Sequence, residues 1–173
     1  NGFESIAGQI NVEMKQPTTP DRLYVNAYLN NMGKTDLNLV LAHQVSKKWS
    51  TALLLHNNFL YNKVDFNKDG FIDLPIGNLF TALNRWKYEN TNGWVAQFGA
   101  KVLTDNKQGG EISFDANTDK GTTNAYGLGF KTFRYEGFAK VGYVFPKKKF
   151  QSIGLQLSTF QHNTSSYFGL TNY

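Results

Sequence analysis

The chain has 173 residues, 14 Phe and 9 Tyr, no Cys, and 18 Lys+Arg against 13 Asp+Glu, for a net charge of +5 and a pI near 9.3. The aromatic content argues against disorder, the missing thiols exclude disulfide scaffolds, thiol catalysis and Cys-based zinc sites, and no apolar run approaches the roughly 18 residues of a membrane helix. The basic residues are scattered, with Lys147-Lys148-Lys149 as the one run and no recognition-helix pattern beside them, so nucleic acid is not an expected partner.

In chain order, Ile6 to Lys15 reads as a short strand, and Pro17 and Pro20 mark a linker. From Leu23 onward a two-residue alternation dominates and helical periodicity is nearly absent. Leu23, Val25, Ala27 and Leu29 interleave with Tyr24, Asn26, Tyr28 and Asn30. Leu37, Leu39 and Leu41 follow, then Trp49, Leu53 and Leu55. In the second half Trp94, Ala96, Phe98, Ala100 and Val102 alternate with Gln97, Gly99 and Lys101. Tyr126, Leu128 and Phe130 oppose Gly127, Gly129 and Lys131. Ala139, Val141, Tyr143 and Phe145 oppose Lys140 and Gly142, and Ile153, Leu155 and Leu157 oppose Gly154, Gln156 and Ser158. The expectation is an all-β, antiparallel fold of eight strands, about Leu23 to Gln161, with a ninth starting near Tyr167.

Alternation alone fits a soluble sandwich, with the apolar face as core, or a transmembrane barrel, with that face in lipid and the polar face on the lumen. Three features favour the barrel. The runs are about 9–12 residues, the span of a tilted membrane strand. Trp49, Trp86, Tyr88, Trp94, Tyr126, Tyr143 and Phe145 fall near run ends, where interfacial girdles sit. The breaks at 46–48, 90–93 and 134–137 are short, whereas 61–78 and 105–123 are long; 31–34 and 146–149 are short breaks on the long-loop side. Lys101, Lys131 and Lys140 are expected on the lumenal face, simply solvated or against an anionic ligand or acidic partner.

The stretch Gly2-Phe3-Glu4-Ser5-Ile6-Ala7-Gly8-Gln9-Ile10-Asn11-Val12-Glu13-Met14-Lys15, placed just before the regular strands, resembles the end of the plug domain of TonB-dependent outer-membrane receptors. Its Gly-Gln-Ile-Asn-Val-Glu flavour is similar to receptors of the Bacteroidetes type. Lys47-Lys48-Trp49-Ser50, Asp69-Gly70-Phe71 and Asn84-Arg85-Trp86 add weaker likeness. The resemblance implies a plug end at 1–16, a linker at 17–22 and the first part of a barrel at 23–173, eight or nine of about 22 strands. It implies a bacterial outer-membrane importer of a scarce nutrient: a ferric siderophore, cobalamin, a glycan or a peptide. Its partners would be outer-membrane lipid, the plug and remaining barrel strands, the small nutrient ligand, and the TonB complex through a part of the parent not in this sequence. The chain begins at Asn1 without Met and is expected to be a segment of such a protein. Two alternatives stand beside this reading: a complete small outer-membrane barrel with a structural or adhesive role, and a soluble lipocalin-like binding module.

Asp65-x-Asn67-x-Asp69-Gly70-x-Ile72-Asp73 matches the first nine positions of a calcium loop, with oxygen ligands at alternate positions and a Gly for the sharp turn. Position twelve is Ile76, without the bidentate carboxylate. The segment reads as a structural calcium site through Asp65, Asn67, Asp69 and Asp73, or as an Asx-rich turn. His43, His56 and His162 have no ligand spacing and are expected as single hydrogen-bonded histidines. No nucleophile constellation is present and no enzyme is expected. Gly127-x-Gly129 lies mid-strand, where it relieves crowding and does not bind a dinucleotide.

Overall fold

The structure, a computed structural model, describes residues 22–148 and 150–172. The expected plug end at 1–16 and all of the linker except Arg22 lie outside the described residues. Eight strands follow in chain order: β1 (Leu23–Leu29), β2 (Thr35–Gln44), β3 (Trp49–Leu60), β4 (Ile76–Glu89), β5 (Trp94–Gly110), β6 (Gly127–Val144), β7 (Ser152–Phe168) and the two-residue β8 (Thr171–Asn172). They form one antiparallel sheet in sequence order, with no helix among the described residues. Among the described residues β1 pairs only with β2, and β7 only with β6 and β8, so the described sheet is open along both outer strands. The all-β antiparallel expectation holds.

Local chemistry fixes the register at the short turns. Asn30 Oδ1 accepts the N–H groups of Met32 and Lys34 at 3.0 Å each. Asn90 repeats the device, accepting from Asn92 at 2.9 Å and Trp94 at 3.0 Å. Each turn then places a glycine at positive φ, Gly33 at 83° and Gly93 at 91°, where a side chain would be strained. Ser46 Oγ serves the third turn, accepting from Lys48 at 3.3 Å and Trp49 at 3.2 Å. At Gly93 a Cβ would also come within 2.0 Å of the Val144 carbonyl oxygen, because the turn packs edge-on against the end of β6.

One expectation needs correction. The break at 134–137 is not a turn. β6 runs through it, paired with β5 from Gly127 to Tyr143 and with β7 from Leu128 to Val144 without an inserted residue. Two expected strands are therefore one of 18 residues, and seven long strands replace eight. The apolar parity switches along β6, from Leu128 and Phe130 to Phe133 and Tyr135, which imitates a turn in the sequence pattern. β5 and β7 are also longer than expected, at 17 residues each. A tilted membrane strand needs about 9–11, so these three have a surplus beyond any apolar band.

Merging the two runs sharpens the loop sorting. Connections 45–48, 90–93 and 145–151 share one end of the sheet. Connections 30–34, 61–75 and 111–126 share the other, and the last two are long. The connection after β6 thus moves from the long-loop end to the short-turn end.

Candidate functional site

Because side chains alternate across a strand, the register assigns every strand residue to one of two faces. One face carries Asp36 on β2, Arg85, Lys87 and Glu89 on β4, Lys101, Asp105 and Lys107 on β5, and Arg134, Glu136 and Lys140 on β6. On the seven long strands Lys131 is the one charged residue of the opposite face. The expected grouping of Lys101, Lys131 and Lys140 therefore holds for the first and third only. Lys131 was misplaced because a continuous β6 puts it in phase with Phe133, Tyr135, Ala139 and Val141. The buried side chains of the strands, Ala42, Ser50, Ala52, Leu60 and Leu83, all belong to the charged face.

Glu136 organises the centre of the charged face. Its Oε1 lies 3.3 Å from Lys101 Nζ on β5 and 2.7 Å from Arg134 Nε on its own strand. Lys87 pairs with Glu89 at 2.7 Å. Across β3 to β7 the directly paired residues Ser50, Lys87, Gln97, Lys140 and Gln156 form a polar row. Such a surface holds water and polar groups and is costly to bury in hydrocarbon.

The opposite face gathers Leu23, Val25, Leu37, Leu39, Leu53, Leu55, Val102, Val141 and Leu155. At the short-turn end it carries an aromatic cluster. Trp49 lies 4.9 Å from Tyr88, 6.1 Å from Phe98 and 6.4 Å from Trp86 between ring centroids. Trp94 lies 5.1 Å from Tyr143, which lies 5.0 Å from Phe145. Of the aromatics singled out in the sequence, only Tyr126 stands at the long-loop end. Each such pair contributes about 0.5–1.5 kcal/mol beyond its burial.

The two long connections pack on each other. Phe71 bridges Glu111, the Ile72 N–H donates to the Gly110 carbonyl at 2.9 Å, and the Ile112 N–H to the Gly70 carbonyl at 2.8 Å. Lys63 Nζ ties them further, donating to the carbonyls of Ile112 at 2.6 Å and Phe114 at 2.7 Å. Phe114 is buried over Gly127, where a Cβ would come within 2.3 Å of its ring, and Tyr167 covers Gly129 in the same way at 2.7 Å. The two glycines do relieve crowding. They do so on the apolar-face side of β6, under a loop and a neighbouring strand, and not on the charged face.

Asp65, Asn67, Asp69 and Asp73 all lie in connection 61–75. Asp65 Oδ1 accepts from the Lys68 and Asp69 N–H groups at 2.7 and 3.2 Å, and its Oδ2 from Gly70 at 3.0 Å. Asp73 Oδ2 accepts from Phe66 at 2.7 Å, and Asp69 Oδ1 from Phe71 at 2.8 Å. The Phe71 N–H and the Asn67 amide hold the exposed Asp69 carboxyl below its ordinary range. Lys68 and Gly70 take positive φ to close the turn. Among the described residues no three His, Asp or Glu side chains form a group fit for a metal ion. His56 pairs with Asn38 Oδ1 at 2.7 Å and His162 with Thr164 Oγ1 at 2.9 Å, and His43 lies on the other face from both.

Sequence reasoning missed Glu136, Arg134, Lys63 and Glu111. The first two were visible as the polar partners of Phe133 and Tyr135 in an unbroken alternation. The other two act through contacts between distant loops, which no local pattern signals. The faces and topology define an antiparallel sheet of the kind that forms part of a β-barrel wall. No known protein family, curated protein or solved structure matches the chain.

Proposed function

We propose that the chain is part of the wall of a bacterial outer-membrane β-barrel, belonging to a TonB-dependent receptor that imports a scarce nutrient. The observation that carries the membrane reading is the sorting of charge: every charged residue of the long strands except Lys131 shares one face, while the other is apolar and aromatic. The charged face would line an aqueous interior and the apolar face would meet lipid. Lys131 fits this arrangement, since it pairs with Asn106 and Ser165 near the long-loop end, where β5 to β7 have length to spare. Short turns at the aromatic end and long loops at the other match the periplasmic and external sides of bacterial barrels.

The open edges support a larger barrel. β1 is exposed throughout and β7 over most of its length. Unpaired backbone groups are not tolerated in hydrocarbon, so further strands must cover both. The receptor assignment rests on the resemblance of residues 2–15 to a plug end. In that arrangement the loops at 61–75 and 111–126 stand outside, where a nutrient arrives.

The test is the full-length protein. A plug upstream, further alternating strands downstream and outer-membrane fractionation with heat-modifiable migration are expected. A parent that folds in buffer without detergent would contradict the membrane reading. An inserted barrel without a plug would contradict the receptor reading alone.

A further inference from the structure

We propose that the apolar face carries a site for an anionic glycerophospholipid near the short-turn end, with an acyl chain in a groove and the phosphate at the lysine-bearing turns. This rests on the membrane-embedded reading above. The groove is open to the surface and has a volume of about 500 Å³. Trp86 and Phe98 form one wall, their rings nearly parallel at 7° and 6.3 Å apart. Leu157 forms the other, and the small residues Ala100, Gly137 and Ala139 make the floor. The register explains the depression: Trp86 pairs Phe98, Phe98 pairs Ala139, Ala139 pairs Leu157, and Ala100 pairs Gly137. Two bulky rings and a leucine thus flank three positions with almost no side chain. No charged residue lines the groove; of its polar lining residues Asn84, Ser158 and Thr159, the Asn84 amide is already engaged by Thr51, the Ala52 carbonyl and the Trp86 indole N–H, so a methylene chain lies there without burying a charge.

Charge selects the head group. Lys47 and Lys48 lie exposed in connection 45–48, and Lys147 and Lys148 in connection 145–151. None of the three connections at this end holds an acidic residue. At the far end the long connections carry Asp65, Asp69, Asp73, Glu111, Asp115 and Asp119, which outnumber Lys63, Lys68 and Lys120. A phosphate-bearing lipid is therefore favoured at the short-turn end over the other, where acidic residues are in excess. Leu157 lies about 16 Å along β7 from Ser152, at 3.3 Å per residue. A chain seated beside Leu157 then has its phosphate at the level of Lys147 and Lys148. The surrounding aromatic cluster matches the interfacial depth at which such head groups begin.

The experiment uses the full-length protein in phosphatidylcholine vesicles with a minor fraction of brominated lipid. The Trp86 signal is read as the difference between wild type and Trp86→Phe. Phosphatidylglycerol brominated on its acyl chains is expected to quench that signal on the order of tenfold more effectively than brominated phosphatidylcholine at the same fraction. The double variant Lys147→Gln, Lys148→Gln, on an exposed turn, is expected to lose the preference while inserting as wild type does. Equal quenching by the two lipids in wild type overturns the proposal and leaves the membrane reading standing, as does a preference that survives in the double variant. Failure to insert, with no quenching by either lipid, overturns both.

Discussion

Glu136 on β6 stands directly opposite Lys101 on β5, its Oε1 3.3 Å from Lys101 Nζ, while the adjacent pair, Tyr135 and Val102, points to the other face. A single step along the ladder therefore crosses from an ion-paired surface to an apolar one. Arg134 shares the same Glu136 oxygen at 2.7 Å. Glu136→Gln leaves two cations without a counter-charge. The side chains are about one-third exposed (33% for Lys101, 30% for Glu136), so solvent screens the cluster. The expected loss is on the order of 1 kcal/mol at low salt, shrinking as salt rises. Unfolding of the detergent-solubilised full-length protein at two ionic strengths checks it.

Gly93→Ala is expected to cost more than a typical turn substitution. The position combines φ of 91° with a backbone oxygen of Val144 where the new Cβ would lie. It also accepts the Val144 N–H at 2.8 Å. Strain and displacement together are expected to cost about 2–3 kcal/mol, read as a lower unfolding midpoint. Gly121→Ala, also at positive φ but in open space, is the control and is expected to cost less.

Lys63→Met removes the amine that joins the carbonyls of Ile112 and Phe114 to the 61–75 connection. The strands carry their own ladder and keep their stability. Proteolysis within 111–126 is expected to rise several-fold, with the unfolding midpoint of the sheet unchanged.

The turn at 65–73 is expected to hold its order by its own hydrogen bonds. Amide exchange at Gly70 and Phe71 should be the same in chelator and in millimolar calcium. Protection that rises with calcium would instead make Asp65, Asn67, Asp69 and Asp73 a cation site. Acid acts differently. The Asp69 carboxyl is lowered in the folded loop by the Phe71 N–H and the Asn67 amide. Its stabilisation is therefore complete above the unfolded value, near 3.9, and is lost as pH falls through the lowered folded value. Protection at Phe71 should persist at neutral pH and fall only in strong acid.

The strands were legible wherever one face stays apolar from end to end, as from Trp94 to Val102 and from Ile153 to Leu157. The short turns were legible through Asn90, Ser46 and the following Gly or Trp, whose local hydrogen bonds need no distant partner. β6 was not legible. One face of it is apolar at Val141 and Tyr135 but carries Gly129 and Lys131 further along, where packing under Phe114 and Tyr167 takes over. The parity of hydrophobic residues then flips without any turn in the chain. Only pairing with β5 and β7 together reveals that the strand continues. The loop contacts of Lys63 and Glu111 were illegible for a different reason, since their partners are set by how two long connections meet.

The central claim is that the two faces of β6 meet different solvents, and site-directed spin labelling tests it most directly. This chain has no native cysteine to remove. In the full-length protein reconstituted in vesicles on a cysteine-free background, single cysteines at Tyr135, Ala139 and Val141 are expected to be accessible to oxygen in the lipid phase. Those at Glu136, Phe138 and Lys140 are expected to be accessible to a water-soluble relaxing agent, with a two-residue period unbroken through 134–137. Labels at Tyr135, Ala139 and Val141 that are shielded from both agents, as in the core of a soluble sandwich, would contradict the account.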